Sequence, residues 1–179
     1  MFIRSTGIVL ISFFLLFTTM NAKDNSEKEN FLPEDIKSVF IYNFTRFFDW
    51  PDKQSDQTFT ITIFGKSKIS KLLRVIAEKR KVKRKQIIIK NIFSIKELKS
   101  CNILFVSASA SKHIKAILKK INEWPVLVIG EKKGLLRMGL GINFVDMDGR
   151  IRFEINKTNI NRAGLKVSSQ LLKLAVVVI

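Results

Sequence analysis

Four groups of residues in this chain have types and spacings that can do chemistry. The first lies in Gly-Ile-Asn-Phe-Val-Asp-Met-Asp-Gly-Arg-Ile-Arg-Phe-Glu-Ile-Asn at 141–156, two alternating runs around Asp148-Gly149. Asp-Gly between such runs favours a two-residue type I′ turn, because glycine takes positive φ without steric cost. That turn pairs Met147 with Arg150, Val145 with Arg152, Phe144 with Phe153 and Asn143 with Glu154. Period-2 alternation then puts Ile142, Phe144, Ile151, Phe153 and Ile155 on one face and Asn143, Arg150, Arg152 and Glu154 on the other. The polar set is a candidate ligand-binding face for a small anionic or aromatic molecule; a solvated outer sheet face is the alternative.

The second group is Lys79-Arg80-Lys81-Val82-Lys83-Arg84-Lys85, six cations in seven residues. Such a run either docks on an acidic surface or lipid headgroups or is a solvated loop, and charge runs favour the loop. The third is the lone Cys101 with the lone His113. Thiol catalysis would need a carboxylate or amide to orient the histidine, and none is apparent; one Cys and one His make no zinc-ligand set. Cys101 precedes Asn102-Ile103-Leu104-Phe105-Val106, so it reads as a packed thiol. The fourth is Phe64-Gly65-Lys66-Ser67, which lacks the glycine a phosphate-binding loop requires five residues earlier, where Thr60 stands. It remains an ordinary strand-to-helix turn, or a weak anion site at a helix start. Asp146 and Asp148 do not complete an acid–base set with Glu154, since Asp146 faces the other way and Asp148 belongs to the turn. The chain therefore reads as a non-enzyme without cofactor or metal.

The elements that position these groups follow from periodicity. Pro33 opens an amphipathic helix with Ile36, Phe40, Phe44 and Phe47 at helical spacing, ended by Trp50-Pro51. Residues 58–64 form a strand and 69–78 a second helix. Strands at 86–90, 103–106 and 126–129 are continuously apolar, as strands buried on both faces are. A helical turn falls at 94–100 and an amphipathic helix at 111–122. Asn156 caps a short helix ending near Gly164, and Ser168 or Ser169 caps a last helix that reaches the apolar end. Alternating strands and helices imply an α/β fold: a mixed, mostly parallel sheet flanked by helices, with a C-terminal β-hairpin at 141–155.

Residues 1–22 look like a cleavable signal peptide: Arg4, an apolar run at 7–17, then Thr18-Thr19-Met20-Asn21-Ala22. That run is short of the roughly 20 residues that span a bilayer, and no neighbouring cysteine offers a lipid anchor. A flexible lead-in at 23–32 and a single domain at 33–179 complete the expected organisation. The formal net charge is +17; removing Arg4 from 32 basic residues leaves 31 against 15 acidic ones. Such a charge usually points to nucleic acid, but export from the cytoplasm turns the expectation toward partner proteins, phospholipid and other envelope polyanions. A single cysteine allows no internal disulfide, so the fold stands on its core.

The segment Ile36-Lys37-Ser38-Val39-Phe40-Ile41-Tyr42-Asn43-Phe44-Thr45-Arg46-Phe47-Phe48-Asp49-Trp50-Pro51 resembles the opening helix of the YfiR-like proteins. Further matches follow in order, among them Cys101-Asn102-Ile103-Leu104-Phe105-Val106, Arg150-Ile151-Arg152-Phe153-Glu154-Ile155-Asn156 and Arg162-Ala163-Gly164-Leu165-Lys166. The resemblance implies a periplasmic, homodimeric regulator that binds and represses the sensory region of an inner-membrane diguanylate cyclase, lowering cyclic di-GMP and biofilm formation. Other relatives serve histidine kinases. It also implies a small-ligand pocket lined by arginine, matched nearest by Arg152, Phe153 and Glu154. Redox-responsive members carry paired cysteines, and this chain has only Cys101. The expected partner-binding residues are Tyr42, Phe48 and Trp50 as aromatic anchors and Lys79, Arg80, Lys83 and Arg84 as the cationic contact. The rival expectation is a periplasmic accessory protein that binds a small molecule through Arg152 and Glu154.

Overall fold

Strand hydropathy decides which strands lie in the middle of the sheet, since an apolar run must be covered on both faces. The computed structural model describes residues 32–51, 57–122 and 124–179, so the expected signal peptide and nearly all of the lead-in lie outside the described residues. In chain order the elements begin α1 (Pro33–Phe44), β1 (Phe48–Asp49), β2 (Thr58–Phe64), α2 (Ile69–Lys79), β3 (Lys81–Val82), β4 (Lys85–Ile92) and β5 (Ile103–Val106). They continue with α3 (Ile114–Lys120), β6 (Leu127–Gly130), β7 (Ile142–Met147), β8 (Arg150–Ile155), α4 (Lys157–Arg162), β9 (Lys166–Val167), α5 (Ser169–Leu172) and β10 (Val177–Val178).

Eight strands form one sheet in the order β10-β8-β7-β6-β5-β2-β4-β3, while β1 and β9 pair antiparallel beside it. β4, β2, β5, β6 and β7 run parallel, and β3 and β8 each add an antiparallel neighbour. Numbered along the chain, the parallel strands have the doubly wound order 2-1-3-4-5. Every residue of β5 and β6 is buried, as their apolar runs require.

Each face of the sheet has its own core. Ile41 and Phe44 of α1 and Leu73 of α2 pack with Ile61, Phe105, Phe144 and Phe153 on one face. Ile114 and Ile117 of α3 pack with Leu104, Val106, Val128 and Leu140 on the other. Phe44 stacks on Phe144 at 6.0 Å and meets Phe153 edge-on at 5.1 Å, so α1 is seated on the C-terminal hairpin by aromatic contact.

The hairpin has the register expected from Asp148-Gly149: Met147 pairs Arg150, Phe144 pairs Phe153 and Asn143 pairs Glu154. Asp148 (φ 53) and Gly149 (φ 72) carry the two positive φ angles of a type I′ turn, and Asp146 Oδ1 accepts the Gly149 N–H at 2.9 Å. Asn156 caps α4 by accepting the Asn159 N–H at 2.8 Å, and Ser168 caps α5.

Four expectations are corrected. α1 ends at Phe44, before Trp50-Pro51, because Phe48–Asp49 leaves the helix to pair with Lys166–Val167. The helix expected at 111–122 starts as a 3-10 turn at Ala108–His113 and is α-helical only from Ile114 to Lys120. The last helix has four residues, and the apolar end returns as β10, parallel to β8. The cation run is no loop: Lys79 ends α2, and a hairpin turn at Lys83-Arg84 joins β3 to β4, with both turn residues at positive φ (46° and 71°).

Candidate functional site

Doubly wound sheets bind ligands at the carboxyl ends of their strands, where strand order reverses. Here that point lies between β2 and β5. Gly65 follows β2 at φ +93, and a Cβ there would come within 2.7 Å of Ala110 Cβ and closer still to Ser107 Oγ, so the two loops touch. Glu131, just beyond β6, accepts the Ala108 N–H at 2.9 Å through Oε1 and the Lys37 ammonium at 2.6 Å through Oε2. Both ionic side chains are 14% exposed. The chain thus supplies its own carboxylate where such folds hold an anion, and Gly65-Lys66-Ser67 is a strand-to-helix turn packed against protein.

The hairpin's polar face is real but graded. Asn143 is fully buried; its Nδ2 donates to Glu154 Oε2 at 3.4 Å and its Oδ1 has no hydrogen-bond partner among the described residues. Glu154 is half-buried, and Arg150 and Arg152 are exposed. At about 3.4 Å per residue, Arg150 stands about 14 Å along the strand from Glu154, at the turn end of the set. Asn143, Glu154 and Arg152 form the compact part of the set.

The expected partner-binding residues separate into two groups. Phe48 is only 2% exposed and belongs to the core, so it cannot anchor a partner. Trp50 is half-buried, donates its Nε1–H to the Asn102 carbonyl at 3.0 Å and meets Phe59 edge-on, which ties it to the fold. Tyr42 is half-buried on α1, whereas Lys79, Arg80, Lys83 and Arg84 are exposed. Lys83 pairs with Asp49 at 2.7 Å, and its hydrogen bond and charge hold that carboxyl below the usual range.

Tyr42, Lys79 and Arg80 also line a groove of about 520 Å³ between α1 and α2, with Val39, Arg46 and Val75. Sequence reasoning missed these last three. The signal was present: once the stripe through Phe40 and Phe44 is assigned to the core, Val39, Tyr42 and Arg46 remain as a second stripe at i, i+3 and i+7. A second cavity, about 310 Å³, lies between α3 and α4 beside Trp124, Met138 and Arg162.

Cys101 is buried, and burial pushes its thiol up to about 11 despite opposing effects of Thr62 and Lys90. His113 lies edge-on to Phe64 at 5.8 Å. No cluster of His, Cys, Asp and Glu among the described residues could hold a metal ion, and no helix among them is long and apolar enough to cross a membrane.

Fold and site together define a doubly wound α/β domain whose strand-end crevice is closed by its own side chains. The chain belongs to the YfiR/HmsC-like family, whose sequence model matches residues 34–176. A crystal structure of a conserved domain protein from Vibrio cholerae O1 biovar El Tor shares the fold with TM-score 0.53 at 11% identity. The match covers 82% of this chain and 60% of that one, so this chain spans less than two thirds of its length. No curated protein matches the chain by sequence.

Proposed function

We propose that this protein is a periplasmic regulator that binds the sensory region of an inner-membrane diguanylate cyclase and holds it inactive, lowering cyclic di-GMP. Membership in the YfiR/HmsC-like family carries this reading. That family supports a regulator of the diguanylate cyclase pathway in general; binding and repression of one sensor is the proposal, and a histidine kinase is the next candidate partner. The working unit proposed is a homodimer delivered by the signal peptide at 1–22. Repression needs only differential affinity: a regulator that binds the inactive sensor about 3 kcal/mol more tightly biases it roughly 150-fold. The test has two arms. Deleting the gene should raise cellular cyclic di-GMP, and tagged protein purified from detergent-solubilised envelopes should bring a membrane protein with a cyclase or kinase output domain. Unchanged cyclic di-GMP and a clean preparation without such a partner would overturn the reading.

A second reading rests on Asn143, whose Oδ1 is the one buried side-chain polar atom left without a hydrogen-bond partner among the described residues. A buried unpaired acceptor costs about 1–3 kcal/mol, which a ligand N–H or O–H would relieve. A small anionic or aromatic ligand bound by Asn143, Arg152 and Glu154 would raise the melting temperature in proportion to the logarithm of its concentration, and Arg152→Ala would abolish that rise. Panels of small anions and aromatic metabolites that leave the melting temperature unchanged would count against it.

A further inference from the structure

α1 presents two stripes. Ser38, Ile41 and Phe44 face inward, while Val39 and Tyr42, with Arg46 just past the helix end, line the groove shared with α2. The groove's apolar lining is left open: Val39 is 44% exposed and Val75, across from it, 41%. Its far end is cationic. Arg46, Lys79, the last residue of α2, and Arg80 all line it, and the helix dipole favours cations at the end of α2. The ion pairs found among the described residues, Lys37–Glu131 and Lys83–Asp49, use none of these three. Glu78, the carboxylate nearest in sequence, is exposed and makes no ion pair among the described residues. Three like charges that share a groove and join no ion pair among the described residues repel one another, and an acidic partner would relieve that repulsion.

We propose that the groove between α1 and α2 docks an acidic amphipathic helix of the protein's partner. The inference rests on the regulator reading in taking the partner to be a protein, and it names the surface and its chemistry. A groove between two helices fits a third helix, read through anchors at i, i+3, i+4 and i+7. The docked helix lays apolar side chains over Val39, Tyr42 and Val75. Its carboxylates meet Arg46, Lys79 and Arg80 and lie in its own first turn, where the dipole favours negative charge. An anionic bilayer would satisfy the cations but is flat, so it would leave the concave apolar lining unfilled.

The test titrates the mature protein into a fluorescent synthetic helix of about 18 residues with leucines on one face and glutamates in its first turn, read by anisotropy. A scrambled peptide of the same composition is the control, and phosphatidylglycerol vesicles test the lipid alternative. The amphipathic helix should bind at least about tenfold more tightly than its scramble, and Arg46→Glu with Arg80→Glu should erase that advantage. Val75→Asp should do the same. Lys112→Glu with Lys115→Glu, an equal charge change on exposed positions elsewhere, should leave the advantage intact. Circular dichroism confirms folding, and Arg46→Gln with Arg80→Gln replaces the charge reversal if that variant misfolds. Equal binding of the scramble, equal loss in the Lys112/Lys115 variant, or association with vesicles but not with the helix would each overturn the proposal. Cyclic di-GMP levels in the deletion strain test the regulator reading separately: a deletion phenotype alongside a failed titration removes the groove alone.

Discussion

Replacing Arg84 by glycine should stabilise the protein, although it removes a side chain and adds backbone freedom to the unfolded chain. Arg84 is the second central residue of the β3–β4 turn, at φ 71, in the left-handed region that glycine occupies freely. Holding a residue with a Cβ there costs roughly 1–2 kcal/mol. Against that, glycine gives the unfolded chain about 0.5–1 kcal/mol of extra conformational entropy. Arg84 is exposed and joins neither ion pair found among the described residues, so little else is lost. The net gain is about 0.5–1 kcal/mol, or a melting temperature higher by about 1–4 °C for a domain of this size. Thermal unfolding followed by circular dichroism, with urea titration to check that the m-value is unchanged, measures it. Arg84→Ala separates backbone from charge, since it removes the cation but keeps the Cβ and should bring no gain. If Arg84→Gly destabilises, or if alanine stabilises as much as glycine, the turn geometry is not what limits stability at this corner.

Phe153→Ala should cost about 3–5 kcal/mol in urea unfolding, because the ring is 3% exposed and contacts both Phe40 and Phe44 of α1. Asn156→Ala should cost about 1 kcal/mol by removing the cap on the Asn159 N–H, and serine at 156 should restore most of it. Raising the pH should expose the Cys101 thiol as a weak point. Its folded value of about 11 lies above the ordinary 9.0, so the folded state holds the proton more tightly. This stabilisation is complete below pH 9 and is lost as pH rises toward 11, by about 3 kcal/mol in all. Cys101→Ala should flatten that part of the stability profile measured by urea unfolding.

The sequence was most legible where local chemistry decides geometry. Asp148-Gly149 permits one tight turn, and from it every pair of the β7–β8 ladder follows to Ile142–Ile155. The apolar runs of β5 and β6 likewise announced central strands. Legibility failed where a distant element makes the choice. Phe48–Asp49 leaves the helical pattern only because Lys166–Val167 is there to pair with it, more than a hundred residues on. The Ser168 cap predicts a helix to the apolar end, but Val176-Val177-Val178 are β-branched and prefer the pleated edge that β8 offers. At the hairpin site, alternation identified the shared polar face but could not show that Asn143 is buried while Arg150 stands at the tip. The groove was obscured because the α1 sequence is apolar on both stripes, and periodicity alone assigns only one of them to the core.

The contact between Lys37 and Glu131 joins residues 94 positions apart. It has a mechanical meaning for α1, whose outer stripe lines the groove. Tilting α1 away from the sheet would part an ammonium from a carboxylate in a largely enclosed place and remove the countercharge from the group that caps Ala108. The helix is also held by the ring of Phe144 beneath Phe44 and by buried Ser38, whose hydroxyl shares its proton between the Glu34 carbonyl at 2.7 Å and the Ile69 carbonyl at the start of α2 at 3.1 Å. α1 is therefore tied both to the sheet and to α2, so its place beside the groove is set by buried contacts. A partner meeting that groove spends little of its binding energy on ordering it, and more is left to distinguish one shape of the partner from another.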